Sequence, residues 1–283
     1  MMTEKTGTVS AVVAGVPPLT DREFEKFRSM IYRIAGISMG PVKKPLVSSR
    51  LMKRVRYYEL QSFGDYFDLI NDSDNRQELQ VAVDLLTTNE TYFFREQKHF
   101  DFLQQKVFPL LPASQTLRVW SAACSSGEEP YSIAMLAQEC LGSGRWSICA
   151  SDLSTRVIET ARIGVYPQSR TVNIPQDYLT RYCLKGIGSQ EGKVMVDGDI
   201  RRHVHFFQHN LKENYQTDDM FDVIFLRNVM IYFDLETKRK VVEKLLPLLR
   251  PGGYFFISHS ETLNGVSSEL KLVQPAVYQK PLL

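Results

Sequence analysis

The sequence predicts an α/β protein built on a doubly wound sheet, preceded by a small all-helical domain and interrupted by a small antiparallel β-subdomain. Apolar residues recur at spacings of three and four through the first third of the chain, which predicts helices there. From Leu117 onward, short and nearly continuous apolar runs alternate with helical segments, as in a buried parallel sheet with helices on both faces. Residues 165–205 break this alternation with short β-like runs and a glycine-rich turn.

The composition is that of an ordinary globular protein with room for two domains. Of 283 residues, 43% are hydrophobic and 23% are charged, and the formal net charge is only +2. So small a charge provides no global field, and neither nucleic-acid binding nor membrane insertion is expected. Four cysteines without metal-ligand spacing predict reduced thiols and a cytoplasmic protein. Residues 1–18 contain an apolar patch too short to span a bilayer, and the small and polar residues there predict a disordered leader.

Residues 19–88 are expected to form the helical domain. Thr20 or Asp21 is available as the N-cap of its first helix, and Gly36 is expected to end that helix. Three further helices are expected, one beginning near Pro45 and the others at residues 63–70 and 76–86.

The second of these helices carries a basic ridge, by which we mean Lys43, Arg50, Lys53 and Arg54. At 100° per residue these four fall in one arc beside the apolar stripe, so they are expected to face solvent. A basic arc of this kind is either a solvated helix face or a docking surface for an acidic partner. Between Pro41 and Tyr58 there are six basic residues and no acid, and the rest of residues 19–90 is acidic enough to cancel these six charges. This concentration of positive charge favours the docking surface.

Residues 89–96 are expected to be a linker that contacts a ligand, because polar residues there are interleaved with aromatic residues and Arg95 at a domain boundary. Residues 97–283 then form the α/β domain. Its strands are expected at residues 117–122, 146–150, 221–226 and 254–257, with a further strand closing at Phe207.

Three local features of the α/β domain follow. Ser154 is the expected N-cap of the helix after the second strand, and residues 251–253 are expected to turn into the last strand. Within the inserted subdomain, a short helix at 178–184 is expected to precede antiparallel strands. One of these would contain His203 and His205, on one face of the small sheet rather than as metal ligands.

Polar residues follow the ends of successive predicted strands, and in a doubly wound sheet these ends lie at one edge. Asp152, about 25 residues beyond the loop after the first strand, is placed to accept ribose hydroxyl groups. Asn210 suits an adenine edge and Glu129 an ammonium group. The loop that holds Gly127 has one glycine and lacks the glycine-rich fingerprint, so by itself it favours an ordinary strand–helix connection over a nucleotide-binding loop.

Five segments of the chain can be compared with known families: Thr-Thr-Asn-Glu-Thr-Tyr-Phe-Phe-Arg, Trp-Ser-Ala-Ala-Cys-Ser-Ser-Gly-Glu-Glu-Pro-Tyr-Ser, Ala-Ser-Asp, Arg-Asn-Val-Met-Ile-Tyr-Phe and His-Ser-Glu. They resemble the CheR family of chemotaxis receptor methyltransferases. The resemblance implies a methyltransferase-like fold, S-adenosylmethionine as methyl donor with S-adenosylhomocysteine as product, and receptor glutamates as acceptors. The cofactor positions it implies are Asn89, Thr91, Arg95, Glu129, Asp152, Asn210, Leu211, Arg227 and Asn228.

The resemblance also implies roles for the remaining features. Tyr232 matches an active-site tyrosine, and with Arg95 it is a candidate for orienting the acceptor glutamate. The basic ridge would dock the cytoplasmic helices of the receptor. The turn at Gly186 and Gly188 resembles family members that bind a receptor's C-terminal pentapeptide by strand addition, although a loop covering the sheet edge fits as well. A monomer is expected, and no metal, since an ionised carboxylate is already nucleophilic toward a sulfonium methyl.

Two other functions remain compatible with the sequence. One is a binding module that senses S-adenosylmethionine without turnover. The other is a methyltransferase acting on a different acceptor, including nucleic acid. A nucleic-acid enzyme would carry an Asp/Asn-Pro-Pro-aromatic motif after the fourth strand, where this chain has Arg227-Asn-Val-Met-Ile.

Overall fold

The computed structural model describes residues 16–282, so most of the expected leader lies outside the described residues. The helical domain is formed by α1 (Asp21–Ala35), α2 (Lys44–Tyr57), α3 (Phe63–Asn71) and α4 (Arg76–Leu86). Thr20 is the N-cap of α1: its hydroxyl accepts the N–H of Glu23, whose carboxylate accepts the N–H of Thr20. Gly36 ends α1 with φ +73°, and a Cβ there would approach Thr237 to 2.5 Å. Gly36 therefore serves both the helix end and close contact with the other domain.

The α/β domain is organised around a seven-stranded sheet with the strand order β6-β2-β1-β7-β8-β10-β9. Its strands are β1 (Leu117–Ser121), β2 (Trp146–Asp152), β6 (Val204–Gln208), β7 (Phe221–Phe225), β8 (Leu249–Phe256), β9 (Lys271–Gln274) and β10 (Val277–Gln279). The first five in this order from the β6 edge run parallel, whereas β10 and β9 pair antiparallel. The predicted fold class is confirmed, with a C-terminal antiparallel hairpin that the sequence analysis missed.

Both faces of the central strands are buried. Val119 and Phe225 belong to one apolar cluster, and their chain neighbours Trp120 and Ile224 belong to another on the opposite face. The helices of this domain are α5 (Lys98–Phe102), α6 (Glu128–Leu141), α7 (Thr155–Ile163), α8 (Gln176–Tyr182), α9 (Gly198–Arg201) and α10 (Leu235–Leu245). Burial on both faces explains why these strands read as continuous apolar runs.

The inserted subdomain contains a three-stranded antiparallel sheet in the order β3-β5-β4. Its strands are β3 (Val165–Pro167), β4 (Cys183–Lys185) and β5 (Lys193–Val196). The expectation that His203 and His205 belong to this small sheet is wrong. The strand β6 pairs parallel with β2 at the edge of the large sheet, where His205 is exposed and His203 precedes the strand, packed on Trp146.

Two further expectations are corrected. Ser154 stands at the N-cap position of α7, but its side chain accepts no hydrogen bond from that helix, and the carboxylate of Asp84 in α4 accepts them instead. Residues 251–253 lie inside β8, where the pairing with β7 shifts register. A Cβ at Gly253 would lie 2.9 Å from the carbonyl oxygen of Asp222, so the glycine permits this close approach. Within residues 16–282, no helix combines the length and the apolar character needed to cross a bilayer.

Candidate active site

An open cavity lies between the helical domain and the carboxyl ends of the parallel strands. The structure brings together on its wall every residue assigned from the sequence to the cofactor or to catalysis. These are Asn89, Thr91, Arg95, Glu129, Asp152, Asn210, Leu211, Arg227, Asn228 and Tyr232. The seven from Glu129 onward converge because β6, β2, β1 and β7 are parallel neighbours, so the loops that leave them share one edge. Asn89, Thr91 and Arg95 come instead from the linker that precedes β1.

The opposite wall of the cavity comes from the helical domain, which the sequence analysis did not foresee. The loop after α1 contributes Ile37, Ser38 and Met39 to this wall. The backbone N–H of Ser38 donates to the carbonyl of Tyr232 at 2.8 Å, and Ile37 pairs with Phe233. An irregular loop has no periodicity to reveal such a role. The one signal available was the glycine that ends α1 directly before apolar residues.

Asp152, at the end of β2, is 8% exposed. Its two carboxylate oxygens accept the backbone N–H groups of Ser125 and Ser154 at 2.9 and 3.0 Å. Burial raises the pKa of Asp152, and these hydrogen bonds oppose that rise. The carboxyl group is thereby held in a fixed orientation on the cavity wall.

Glu129 and Arg227 form an ion pair on the cavity wall. Arg227 Nη1 lies 2.8 Å from Glu129 Oε2, and Glu129 Oε1 accepts the hydroxyl of Ser121 at 2.8 Å. The Arg227 side chain is 1% exposed, and its Nη2 donates to the carbonyl oxygen of Arg95 at 2.5 Å. Arg227 therefore links the end of β7 to α6 and to the linker, with its charge balanced by protein carboxylates.

Glu96 is the second carboxylate that faces Arg227, at 3.3 Å from Nη2. Burial tends to raise the pKa of Glu96, but Arg227 together with donors from His259 and Ser258 lowers it to about 2. Glu96 itself adopts φ +62°, a left-handed conformation that is unusual for this residue. The sequence places Glu96 in the ligand-contacting linker but indicates no role for its side chain, because nothing in the local pattern points to a partner 131 positions away.

His99 and His259 stack beside Glu96 with ring centroids 4.8 Å apart and planes 11° apart. Burial, followed by the charge of Arg227, lowers the pKa of His99 to about 3, so this ring is neutral. Possible ligand atoms of Glu96, His99 and His259 lie within 4.8 Å of one another. Imidazole nitrogens bind metals in the plane of the ring, and two parallel stacked rings do not direct their nitrogens at one ion. The absence of a metal requirement stays a prediction.

Glu261, the last residue of the His-Ser-Glu segment, stabilises the loop after β7. Its carboxylate accepts the backbone N–H groups of Asn228 and Ile231 at 3.2 Å and of Ser258 at 2.8 Å. Asn228 has φ +58°, and its side chain donates to the hydroxyl of Ser258 at 2.7 Å. The segment after β8 thus holds the loop that carries Asn228 and Tyr232 in place.

The remaining predicted residues differ in how free their side chains are. The Asn210 amide donates to the carbonyl of Ile34 at 2.8 Å and accepts the N–H of Lys212 at 3.1 Å, so it bridges the two domains. Arg95 is half-buried, donates to the carbonyl of Glu90 and lies over the ring of Tyr92. The role of Asn210 at an adenine edge stays a prediction.

The expectation of a fully solvent-facing basic ridge is wrong for two of its four residues. Arg54 lies 2.7 Å from Glu78, a carboxylate only 5% exposed that also accepts the hydroxyl of Tyr66. Arg50 donates to the carbonyls of Leu86 and Thr87 at 3.1 and 2.8 Å. Both are half-buried, whereas the other two members of the ridge, Lys43 and Lys53, are exposed. A helical wheel gives the direction of a side chain but not the neighbour it meets.

The sheet order, with acids that follow its first two strands, fits the class of S-adenosylmethionine-dependent methyltransferases. A family model described as "CheR methyltransferase, SAM binding domain" matches residues 89–278, and "CheR methyltransferase, all-alpha domain" matches residues 22–87. The chain therefore belongs to the CheR methyltransferase family, and it catalyses S-adenosylmethionine-dependent methylation in chemotaxis.

Named relatives agree with this family over nearly the whole chain. The chemotaxis protein methyltransferase of Escherichia coli is 40% identical over 92% of this chain and 91% of its own length. That of Salmonella typhimurium is 40% identical over 92% and 90%. The chemotaxis protein methyltransferase 2 of Pseudomonas aeruginosa is 42% identical over 92% and 93%.

Proposed function

We propose that this chain transfers methyl groups to glutamate side chains on the cytoplasmic helices of chemoreceptors. The products would be glutamate γ-methyl esters and S-adenosylhomocysteine. The observation that carries the proposal is the mixture of charges that line one cavity. Glu129 and Asp152 suit a cationic nucleoside, whereas Arg95 and the exposed Lys43 suit an anionic acceptor.

The residues present fit S-adenosylmethionine. Glu129, fixed by Ser121 and Arg227, offers a carboxylate for the ammonium group, and Asp152 offers acceptors for the ribose hydroxyl groups. Asn89, Thr91, Leu211 and Asn228 complete this part of the wall. We assign all of these positions to the cofactor, together with Arg95, Asn210 and Arg227.

S-adenosylmethionine supplies an electrophilic methyl group on a positively charged sulfur. A glutamate carboxylate is ionised at neutral pH and attacks that carbon directly: the new O–C bond forms as the S–C bond breaks. No proton has to be removed, so the protein needs no general base. Its task is to align the acceptor and to exclude water. We assign acceptor orientation to Arg95 and to Tyr232, whose ring lines the same cavity.

Receptor docking is assigned to the exposed members of the basic ridge, Lys43 and Lys53. The inserted subdomain is proposed to bind a receptor C-terminal pentapeptide at the turn of Gly186 and Gly188. In support, the neighbouring apolar side chain of Ile187 is 83% exposed. We further propose that the protein acts in the cytoplasm as a monomer.

The test is transfer of a labelled methyl group from S-adenosylmethionine to membranes that contain chemoreceptors. Label released as methanol in mild base would identify a carboxyl methyl ester. Arg95→Ala is expected to lower turnover by about two orders of magnitude or more with the fold intact, since orientation contributes strongly to such reactions. Cofactor binding without transfer to any receptor would favour a sensing module or another acceptor. Failure of the protein to bind the cofactor would overturn the assignment of Glu129 and Asp152.

A further inference from the structure

The segment that follows β8 reaches the carboxylate of Glu96 from behind the cavity. His259 donates from Nδ1 to Glu96 Oε2 at 2.8 Å, and its backbone N–H lies 3.3 Å from the same oxygen. The hydroxyl of Ser258 donates to Glu96 Oε1 at 2.9 Å. Because a carboxylate can only accept, this contact fixes the proton of His259 on Nδ1.

Glu96 passes this constraint to Arg227. Its Oε2, the oxygen that His259 holds, lies 3.3 Å from Arg227 Nη2. The same guanidinium bonds Glu129 through Nη1 and the carbonyl of Arg95 through Nη2. A rotation of Arg227 would therefore move both the carboxylate assigned to the cofactor's ammonium group and the main chain of the residue assigned to the acceptor.

His259 and Glu96 are not themselves on the cavity wall, whereas Arg227 and Glu129 are. The His259 ring is held on its other side by stacking on His99, which is fully buried. His259 is thus fixed by packing on one face and by a carboxylate at one edge. This is the environment of a residue that orients others and does not react itself.

We propose that His259 is a positioning residue for methyl transfer. Through Glu96 it fixes Arg227, and through Arg227 it fixes Glu129 and the backbone of Arg95. This inference rests on the proposed function of the cavity, because the geometry it protects is that of the cofactor and acceptor positions. It assigns a role to the histidine of the His-Ser-Glu segment.

The experiment uses the whole chain and measures the Kd of S-adenosylhomocysteine by calorimetry and kcat with receptor membranes. His259→Phe keeps a ring to stack on His99 but removes the donor, and we expect it to weaken binding by about tenfold to a hundredfold. His259→Asn is the matched control, since its amide nitrogen takes the place of Nδ1. We expect His259→Asn to bind within about threefold of the wild type, which a merely space-filling role would not predict.

Glu96→Gln tests the same connection without altering His259, and we expect it to weaken binding at least tenfold. If His259 acts through Glu96, the double variant His259→Phe with Glu96→Gln should have a Kd within about threefold of that of Glu96→Gln alone. The proposal is overturned if His259→Phe or Glu96→Gln binds S-adenosylhomocysteine within twofold of the wild type. It is also overturned if His259→Phe and His259→Asn weaken binding equally, or if the increases in Kd of the two single variants multiply in the double variant. A wild-type protein that does not bind S-adenosylhomocysteine would instead overturn the proposed function.

Discussion

The carboxylate of Asp84 in the helical domain caps a helix of the other domain by bonding Thr155. Asp84 Oδ1 accepts the backbone N–H of Thr155 at 3.2 Å, and Oδ2 accepts its hydroxyl at 2.8 Å. Oδ2 also accepts the N–H of Arg156 at 3.1 Å. An acid near the C-terminus of its own helix is unfavourable, but here it meets the positive end of α7. This contact joins the two domains a few residues beyond Asp152.

Removing that cap should weaken the protein and the cofactor site together. We expect Asp84→Ala to lower the free energy of unfolding by about 1–2 kcal/mol, the usual cost of losing an N-cap. The Kd for S-adenosylhomocysteine should rise as well, because α7 follows the loop that holds Asp152. Urea unfolding and calorimetry measure the two effects. Asp68→Ala is the control, since Asp68 is 72% exposed and should change stability by less than about 0.5 kcal/mol. Equal losses in both variants would contradict the interdomain cap.

The sequence predicted this fold because both of its main signals are periodic. Helical spacing predicted α4 with its observed bounds, and continuous apolar runs predicted β1 and β7 as buried parallel strands. Once the strands are parallel, the meeting of Glu129, Asp152 and Arg227 at one edge follows from topology.

Contacts between distant segments were not predictable in this way. Asp84 and Thr155 are 71 positions apart, and Arg54 and Glu78 are 24 apart. Nothing in the spacing of either pair indicates that they meet. The prediction for the run around His205 failed for another reason. Buried and exposed residues alternate at the start of β6 although the strand is parallel, and such alternation is typical of an antiparallel strand.

The half-buried and the exposed residues of the basic ridge should differ in how much they contribute to stability. Arg54→Met leaves the carboxylate of Glu78 buried without its cation, and we expect the free energy of unfolding to fall by about 1–3 kcal/mol. The loss is smaller than for a fully buried ion pair because the Arg54 side chain is 24% exposed. Lys53→Met, on the same helix but exposed, should leave stability within about 0.5 kcal/mol. Chemical unfolding measures both.

Lys53→Glu tests docking separately from stability. We expect it to raise the KM for receptor membranes at low salt, with the effect shrinking as salt increases, while the Kd for S-adenosylhomocysteine is unchanged. A KM that does not respond to this charge reversal would return the exposed part of the ridge to an ordinary solvated face.

The buried ring of His99 should make stability depend on pH. Its pKa is lowered by burial to about 3, whereas an imidazole in the unfolded chain takes up a proton near 6.5. The unfolded state therefore binds the proton more readily, and stability present above pH 6.5 is lost as pH falls toward 3. His99→Phe keeps an aromatic ring between Phe256 and His259 without titrating. Between pH 7 and pH 5, we expect the free energy of unfolding to fall by about 1–2 kcal/mol more in the wild type than in the variant. Parallel curves for the two proteins would show that His99 is not buried in its neutral form.

Arg170 of the inserted subdomain forms an ion pair with Glu128 in the first turn of α6. The Glu128 side chain is fully buried, and Arg170 also lies 3.1 Å from the hydroxyl of Ser126. Burial raises the pKa of Glu128, and the guanidinium opposes that rise. Arg170→Met removes the cation that stabilises ionised Glu128. We expect the free energy of unfolding to fall by about 1–3 kcal/mol at neutral pH, a modest loss because the Arg170 side chain is 37% exposed. The loss of unfolding free energy should shrink below pH 5, where the Glu128 carboxyl group takes up a proton in both the folded and the unfolded state. Arg181→Met is the matched control in the same subdomain, because its partner Glu139 is 32% exposed and such pairs contribute little. If the two variants lose the same stability at every pH, the inserted subdomain is not anchored to α6 by the ion pair of Arg170 and Glu128.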